Sequence, residues 1–206
     1  MDNYEKQVYT GRKLFLKYDQ DKLIEKYGLK HDEEYLYLKY IGTEYRIDRG
    51  SAMNYVADDE WTDCREYTIV MTIYDFLCCS GHGSTAAFDR AVAACEQVCN
   101  CRKQSVNSPL CGKVCKSIFR KKWKEVKQAC TCLGGKQTER LAGADLTFEM
   151  PVLPGFSVLL QFWDGDEEFL PKILLLWDKV SLSYLHFETT YYLQGDLLKT
   201  ILQTIG

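Results

Sequence analysis

The chain has 206 residues, of which 46% are apolar and 27% charged, with a formal net charge of −3. This size suits a domain that buries a hydrophobic core without disulfide bonds. The small net charge argues against a bulk attraction to nucleic acid or anionic lipid. No run of about 18 apolar residues predicts a membrane-spanning helix. Because Met1–Lys6 lacks the apolar run of a signal peptide, we expect a cytoplasmic protein.

The first part of the chain predicts helices followed by a β-hairpin. Apolar residues recur at helical spacing through residues 2–27, and Gly28 ends this stretch. Alternation over Tyr35–Ile41, a turn at Gly42-Thr43 and a return over Glu44–Asp48 predict two antiparallel strands. The many tyrosines of this region suit a half-buried sheet surface, where the ring packs and the hydroxyl stays in water.

A long apolar stretch in the middle of the chain predicts a buried central helix. It starts after the acidic run Asp58–Glu60 and covers residues 61–79, with apolar side chains on nearly every face. Two further helices are predicted over about 85–99 and 110–133. Together they make a helical middle segment over about 61–133, rich in cysteine.

Strands and a terminal helix are predicted beyond Gly134-Gly135. Their ranges are 146–150, 156–163 and 173–177 for the strands and 188–205 for the helix. The pattern predicts an α+β fold, in which an antiparallel sheet packs with the central buried helix and the helical, cysteine-rich middle segment. We expect a single domain over residues 1–206, with the C-terminal hairpin and helix over about 144–206. We also expect the last hairpin to share one sheet with Tyr35–Ile47.

Ten cysteines occur in the chain, and seven of them lie within residues 95–132. Their spacing lacks the paired Cys-x-x-Cys knuckles of zinc sites and the runs of ferredoxins. Cys95, Cys115 and Cys130 lie on apolar stripes, so we predict that they are buried, reduced and free of metal. Cys101 and Cys132 fall off these stripes, and nearby lysines and arginines favour a reactive thiol as the alternative.

The run Trp163–Phe169 carries the most distinctive chemistry, because an aromatic strand end enters an Asp-Gly turn that three acids follow. Grouped carboxylates bind a divalent cation or a cationic ligand, or act as an acid–base pair. Trp177 and Tyr184 are expected to add apolar walls. The alternative is a solvated turn that keeps a sheet edge soluble. The ligand site predicted at this acidic hairpin comprises Trp163, Asp166, Glu167, Glu168, Asp178 and His186.

Several short segments of the C-terminal half match a pattern known from one family. They are Gly134-Gly135-Lys136, Asp145, Phe162–Phe169, Leu176-Trp177-Asp178, Tyr184-Leu185 and Glu188. On these residues the chain resembles the uncharacterised prokaryotic domain-of-unknown-function family thirty-seven eighty-six, most distinctively over residues 134–193. The resemblance implies a protein of anaerobes, with no established catalytic residues. Some relatives join this domain to a four-iron–four-sulfur module, which implies a link to anaerobic corrinoid or iron–sulfur metabolism.

Three classes of function follow from these observations. We favour a binding or accessory domain whose partner is a small molecule or a protein. The alternatives are a hydrolase or lyase that uses carboxylates and a divalent metal at the acidic hairpin, and a thiol-based metal or redox protein. No cofactor follows from the sequence, no membrane partner is expected, and nucleic acid is not expected because no exposed aromatic set interleaves with the basic residues.

Overall fold

A computed structural model describes residues 2–78, 123–140, 143–165, 168–169, 171–178 and 181–205. The chain forms two compact units, each assembled from segments that are distant in sequence. The expectation of a single domain stays a prediction. The first unit combines Met1–Thr85, Val152–Gly155 and Val180–Asp196, and the second combines Ala86–Pro151, Phe156–Lys179 and Leu197–Gly206.

Two capped helices begin the first unit. Asp2 caps α1 (Asn3–Phe15) and Asp19 caps α2 (Gln20–Tyr27), each through a side-chain oxygen that accepts a backbone N–H of the first turn. Gly28 ends α2 with a φ of +59°, a conformation that favours glycine. The helical stretch predicted over residues 2–27 is therefore confirmed as two helices.

Five antiparallel strands form the sheet of the first unit. Ile41 and Gly42 join the second strand to the third with φ values of 49° and 79°, the turn geometry that matches strand twist. Side chains alternate, so that Leu36, Leu38 and Ile47 are buried on one face of the sheet. The predicted hairpin is confirmed. The strands pair in chain order: β1 (Lys30–His31), β2 (Tyr35–Tyr40), β3 (Thr43–Asp48), β4 (Asn54–Ala57) and β5 (Trp61–Asp63).

The central helix begins later than the sequence predicts. α3 spans Tyr67–Cys78, and seven of its twelve residues are buried. The helix start predicted at Asp58–Glu60 is wrong, because these acids form the turn between β4 and β5, across which Ala57 pairs with Trp61. Cross-strand pairing thus takes residues 61–63 into the sheet before the helix begins.

A helix and a four-stranded sheet make up most of the described part of the second unit. α4 (Trp123–Cys132) confirms the described part of the helix predicted over 110–133, whereas the helix predicted over 85–99 lies outside the described residues. The last two residues of β7 belong to the first unit. The sheet has the order β6 (Lys136–Gln137), β7 (Leu146–Leu153), β8 (Phe156–Trp163) and β9 (Lys172–Leu176).

The two sheets are separate. The predicted sharing of one sheet by the last hairpin and Tyr35–Ile47 is therefore wrong. Strands that follow one another across short connections usually pair with each other, so each hairpin stays in the sheet of its own neighbours along the chain. β8 pairs with β9 in antiparallel register, with Leu160 opposite Leu175. Antiparallel sheets together with packed helices confirm the α+β fold class.

The C-terminal helix α5 spans Phe187–Ile205 and follows a single 3-10 turn at Ser181–Ser183. Its residues up to Asp196 belong to the first unit, and those from Leu197 onward belong to the second. In the described ranges of the chain, no helix is long and apolar enough to cross a membrane.

Candidate binding surface on the five-stranded sheet

The outward face of the five-stranded sheet carries four aromatic residues around one arginine. Tyr35 and Tyr37 lie on β2, Arg46 on β3, Tyr55 on β4 and Trp61 on β5. The strand register places Tyr37 and Tyr55 directly opposite Arg46, one on each side. All five side chains are half-buried, whereas Leu36, Leu38, Tyr45 and Ile47, which alternate with them on β2 and β3, are buried. We call these five residues the aromatic face.

Arg46 is held by the faces of its aromatic neighbours. Its guanidinium carbon lies 4.0 Å from the ring centroid of Tyr35, 4.6 Å from that of Trp61 and 5.1 Å from that of Tyr55. Each such cation–π contact is worth about 0.5–2 kcal/mol, depending on desolvation. The Arg46 Nε is buried and has no hydrogen-bond acceptor among the described residues. The rings therefore replace part of the water and the acceptors that a guanidinium normally has.

The rings also pack against one another. Tyr35 and Tyr55 meet edge to face at 6.1 Å between centroids, and Tyr37 and Trp61 do so at 5.9 Å. Edge-to-face packing satisfies the ring quadrupoles and fixes the ring orientations. Burial raises the pKa of the Tyr55 hydroxyl, because the charged form is disfavoured away from water.

Asp32 fixes the edge of the aromatic face. Its carboxylate accepts the Tyr37 hydroxyl at 2.7 Å and the backbone N–H groups of Glu34 and Tyr35 at 2.9 and 2.7 Å. These hydrogen bonds hold the pKa of Asp32 below its usual value, and the bond from the Tyr37 hydroxyl has the largest effect. The bond between Tyr37 and Asp32 also raises the pKa of Tyr37. Asp32 is therefore an anion at neutral pH, located beside the rings.

Sequence reasoning did not identify the aromatic face. It assigned the tyrosines to a half-buried sheet surface, which is confirmed for Tyr35 and Tyr37. The assignment is wrong for Tyr40, which alternates onto the buried face of β2 and is 2% exposed. The signal that would have found the face is register, because Arg46 falls opposite Tyr37 and Tyr55 only when both hairpins are aligned. The prediction of β5 as part of a helix removed Trp61 from that alignment.

The acidic hairpin, where the sequence predicts a ligand site, is described only in part. Asp166 and Glu167 lie outside the described residues, and Glu168 is exposed. Trp163 is half-buried at the end of β8, with the Lys172 ammonium 4.8 Å from its ring centroid. A cation thus already contacts the aromatic residue of the predicted site.

Asp145, to which the sequence assigned no site role, fixes the base of the acidic hairpin. Its carboxylate accepts the backbone N–H of Asp164 at 2.8 Å, while its own N–H donates to the carbonyl of Phe162 at 2.9 Å. Gly165 has no room for a side chain, since a Cβ there would lie 2.8 Å from the backbone nitrogen of Pro171. Close packing at Gly165 and one carboxylate therefore fix the backbone where β8 leads into this hairpin.

The remaining predicted residues of the second unit lie nearer its core. Trp177 is 4% exposed, and its ring centroid is 6.4 Å from that of Phe156, so it is a core residue. Asp178 next to it is half-buried. Trp163, Glu168 and Asp178 belong to the second unit and His186 to the first. Their grouping in one site stays a prediction.

His186 is paired with a carboxylate of the central helix. Both oxygens of Asp75 are used, since one accepts the His186 backbone N–H at 2.8 Å and the other makes a short hydrogen bond to Nδ1. The His186 side chain is 74% exposed and that of Asp75 only 11%. The contact ties the start of α5 to α3 and holds the exposed imidazole through its Nδ1.

The described cysteines are free thiols. Cys64, Cys78 and Cys130 are buried and Cys132 is exposed, which confirms the burial predicted for Cys130. Burial raises the pKa of the Cys130 thiol to about 12. In the parts of the chain that the structure describes, no group of three or more His, Cys, Asp or Glu side chains is arranged to hold a metal ion. The predictions for Cys95, Cys101 and Cys115 fall outside the described residues.

A buried carboxylate also links three elements of the first unit. Asp196 of α5 is 9% exposed and accepts the Tyr40 hydroxyl at 2.9 Å and the Thr68 hydroxyl at 2.8 Å. Burial raises the pKa of Tyr40 well above its ordinary value, with the nearby Asp196 charge as the second cause. These hydrogen bonds satisfy a buried charge, and they join α5 to β2 and α3.

Comparison with known protein families gives a match over most of the chain. Residues 19–200 match the family model described as "Domain of unknown function (DUF3786)". No curated protein and no solved structure matches the chain.

Proposed function

Because the chain belongs to the DUF3786 family of domains of unknown function, we propose a function from its surface chemistry: it is a binding or accessory domain. Its binding surface is the aromatic face of the five-stranded sheet. The resemblance to relatives fused to an iron–sulfur module supports placing this domain in the cytoplasm, in anaerobic corrinoid or iron–sulfur metabolism.

The arrangement around Arg46 carries this proposal. Tyrosine, tryptophan and arginine are the residues that dominate binding energy at protein interfaces, where they cluster at the centre of the contact. Here four rings and one guanidinium share one outward sheet face. Ring packing and the cation–π contacts hold them in place before any partner binds, which reduces the entropy that binding would cost.

The acidic hairpin remains a second candidate binding site, for a divalent cation or a cationic ligand. The hydrogen bond from Asp164 to Asp145 and the close approach of Gly165 to Pro171 support it, because they fix the point where β8 enters the acidic hairpin. Phe169 at this turn is 69% exposed and offers an apolar contact beside exposed Glu168.

Site-specific photo-crosslinking in the native host tests the main proposal. A benzophenone amino acid replaces Lys39, which is exposed on the same face of β2 as Tyr37, or replaces exposed Glu25 of α2 as the matched control. We expect a protein partner to crosslink from position 39 and not from position 25. With the purified partner, Trp61→Ala should weaken the Kd by at least about tenfold, as expected for an interface hot spot.

A melting curve of Trp61→Ala confirms that the variant is folded at the temperature used. Equal crosslinking from both positions, or an unchanged Kd for Trp61→Ala, would count against the aromatic face as the binding surface. The hydrolase and thiol alternatives would gain support if metal analysis of the purified protein found a stoichiometric ion.

A further inference from the structure

The segment that builds the five-stranded sheet is strongly acidic. Between Lys30 and Arg65 the sequence has nine aspartate and glutamate residues against five lysine and arginine residues, which gives a net charge of −4. The whole chain has a net charge of −3, so the negative charge is concentrated in this segment. A surface with this local excess attracts positively charged partners at long range.

The acids lie at both ends of the aromatic face. Asp32–Glu34 form the turn before β2, and Asp58–Glu60 form the turn after β4, with all six side chains exposed. β3 is antiparallel to both β2 and β4, so these two strands run in the same direction. A turn before β2 and a turn after β4 therefore lie at opposite ends of the sheet. The rings lie between two acidic turns.

The rings of this face already bind cations within the chain. Arg46 contacts Tyr35, Tyr55 and Trp61, and the Lys30 ammonium lies 5.2 Å from the ring centroid of Tyr37. Aromatic rings attract guanidinium and ammonium groups through the negative potential of their faces. The chemistry that holds these two side chains is the chemistry that would receive the same groups from a partner.

Two acids next to the rings are held in the charged form. Asp32 accepts three hydrogen bonds, and Asp48, opposite Tyr35, accepts the backbone N–H groups of Gly50 and Ser51 at 3.0 and 2.6 Å. These hydrogen bonds lower the pKa of Asp48, and the bond from the Ser51 backbone has the largest effect. Nucleic acid and anionic lipid would meet these fixed negative charges and be repelled.

We infer that the partner of the aromatic face is a protein segment rich in lysine and arginine, whose side chains stack on the rings while their neighbours pair with the two acidic turns. This inference rests on the proposed function, since it names the partner of the same surface. The inference adds to the proposed function the chemistry of that partner and a role for the acidic turns Asp32–Glu34 and Asp58–Glu60.

Fluorescence anisotropy with labelled peptides tests the inference on the full chain. The probes are a peptide of alternating lysine, arginine and glycine, a glutamate peptide of equal length and a single-stranded oligonucleotide. We expect only the basic peptide to bind, with a Kd that rises about tenfold between roughly 50 and roughly 500 mM NaCl. Trp61→Ala should weaken its binding by at least about fivefold, which separates ring contact from general charge attraction.

Matched charge variants then test the acidic turns. The triple variant Asp58→Asn, Asp59→Asn, Glu60→Gln should raise the Kd at least about fivefold, because three attractive charges beside the rings are lost. The control is Glu25→Gln, Glu125→Gln, Glu139→Gln, which changes the net charge equally at exposed acids outside the sheet and should shift the Kd by less than about twofold.

The outcomes separate the inference from the proposed function. The inference is wrong if the two triple variants raise the Kd for the basic peptide equally. It is also wrong if Trp61→Ala leaves that Kd unchanged. The inference is also wrong, while the proposed function stands, if the crosslinked partner is not basic. In that case its binding depends on Trp61, but its Kd does not change with salt. If neither a partner nor the basic peptide depends on Trp61, both are wrong.

Discussion

Arg46 and its rings form one rigid group, because the guanidinium contacts three ring faces and the rings contact one another. A lysine at this position would not substitute well, since an ammonium lacks the flat surface that stacks on a ring. The single residue Arg46 thus decides how the rings of three strands are oriented.

Burial should control thiol reactivity, and we expect Cys130 and Cys132 to differ sharply. The pKa of Cys130 rises from the ordinary value of 9.0 to about 12 through burial, so its thiol stays protonated in the folded chain. At about pH 8.5, iodoacetamide should modify exposed Cys132 and leave Cys130 intact, as read by peptide mass spectrometry. After unfolding in urea, both should be modified.

The same shift makes stability depend on pH. The folded state keeps the Cys130 proton that the unfolded state releases near pH 9.0, so this contribution is complete below pH 9.0 and is lost as the pH rises toward about 12. A Cys130→Ala variant should show a weaker loss of melting temperature over that range. Modification of Cys130 at the same rate as Cys132 in the folded protein would contradict its burial.

Among the elements, the acidic hairpin offers a direct test of the predicted ligand site. If its acids bind a divalent cation, the melting temperature should rise with Mg²⁺, Ca²⁺ or Mn²⁺, and the double variant Asp166→Asn, Glu168→Gln should lose that rise. If the acids are only solvated, each change should alter the free energy of unfolding by no more than ~0.5 kcal/mol and cations should have no effect.

Asp145→Ala is the control for the hairpin. Its carboxylate holds the backbone N–H of Asp164, so the variant should lose about 0.5–1.5 kcal/mol whether or not a cation is present. Unchanged melting of the wild type with every cation would remove the hairpin from the candidate sites.

Local patterns predicted the elements better than they predicted the surface. The β2–β3 hairpin followed from alternation and a glycine turn, and the end of α2 followed from Gly28. β5 was missed because alternation over only three residues is a weak strand signal. The acidic run before it also suits a helix start, and that signal was the stronger one. The aromatic face needs the register of four strands, which no single segment contains.

At the scale of the whole molecule, Asp196 should be important for the stability of the first unit. Asp196→Ala leaves the buried Tyr40 hydroxyl and the Thr68 hydroxyl without their acceptor, so we expect a loss of about 1–3 kcal/mol in the free energy of unfolding. Urea denaturation followed by circular dichroism measures it.

Two further variants locate the origin of that loss. Tyr40→Phe removes one hydroxyl together with its need for an acceptor and should cost less than Asp196→Ala. Asp59→Ala, at an exposed turn, should stay within about 0.5 kcal/mol of the wild type. An Asp196→Ala variant as stable as Asp59→Ala would show that the buried carboxylate contributes nothing.

The hydrogen bond between Tyr40 and Asp196 joins residues 156 positions apart. Ribosomes synthesise the sheet and α3 long before the part of α5 that supplies this carboxylate. The Tyr40 and Thr68 hydroxyls therefore lack this acceptor until Asp196 has been synthesised. Premature termination anywhere before Asp196 should therefore leave the first unit without the acceptor that joins β2 and α3 to α5.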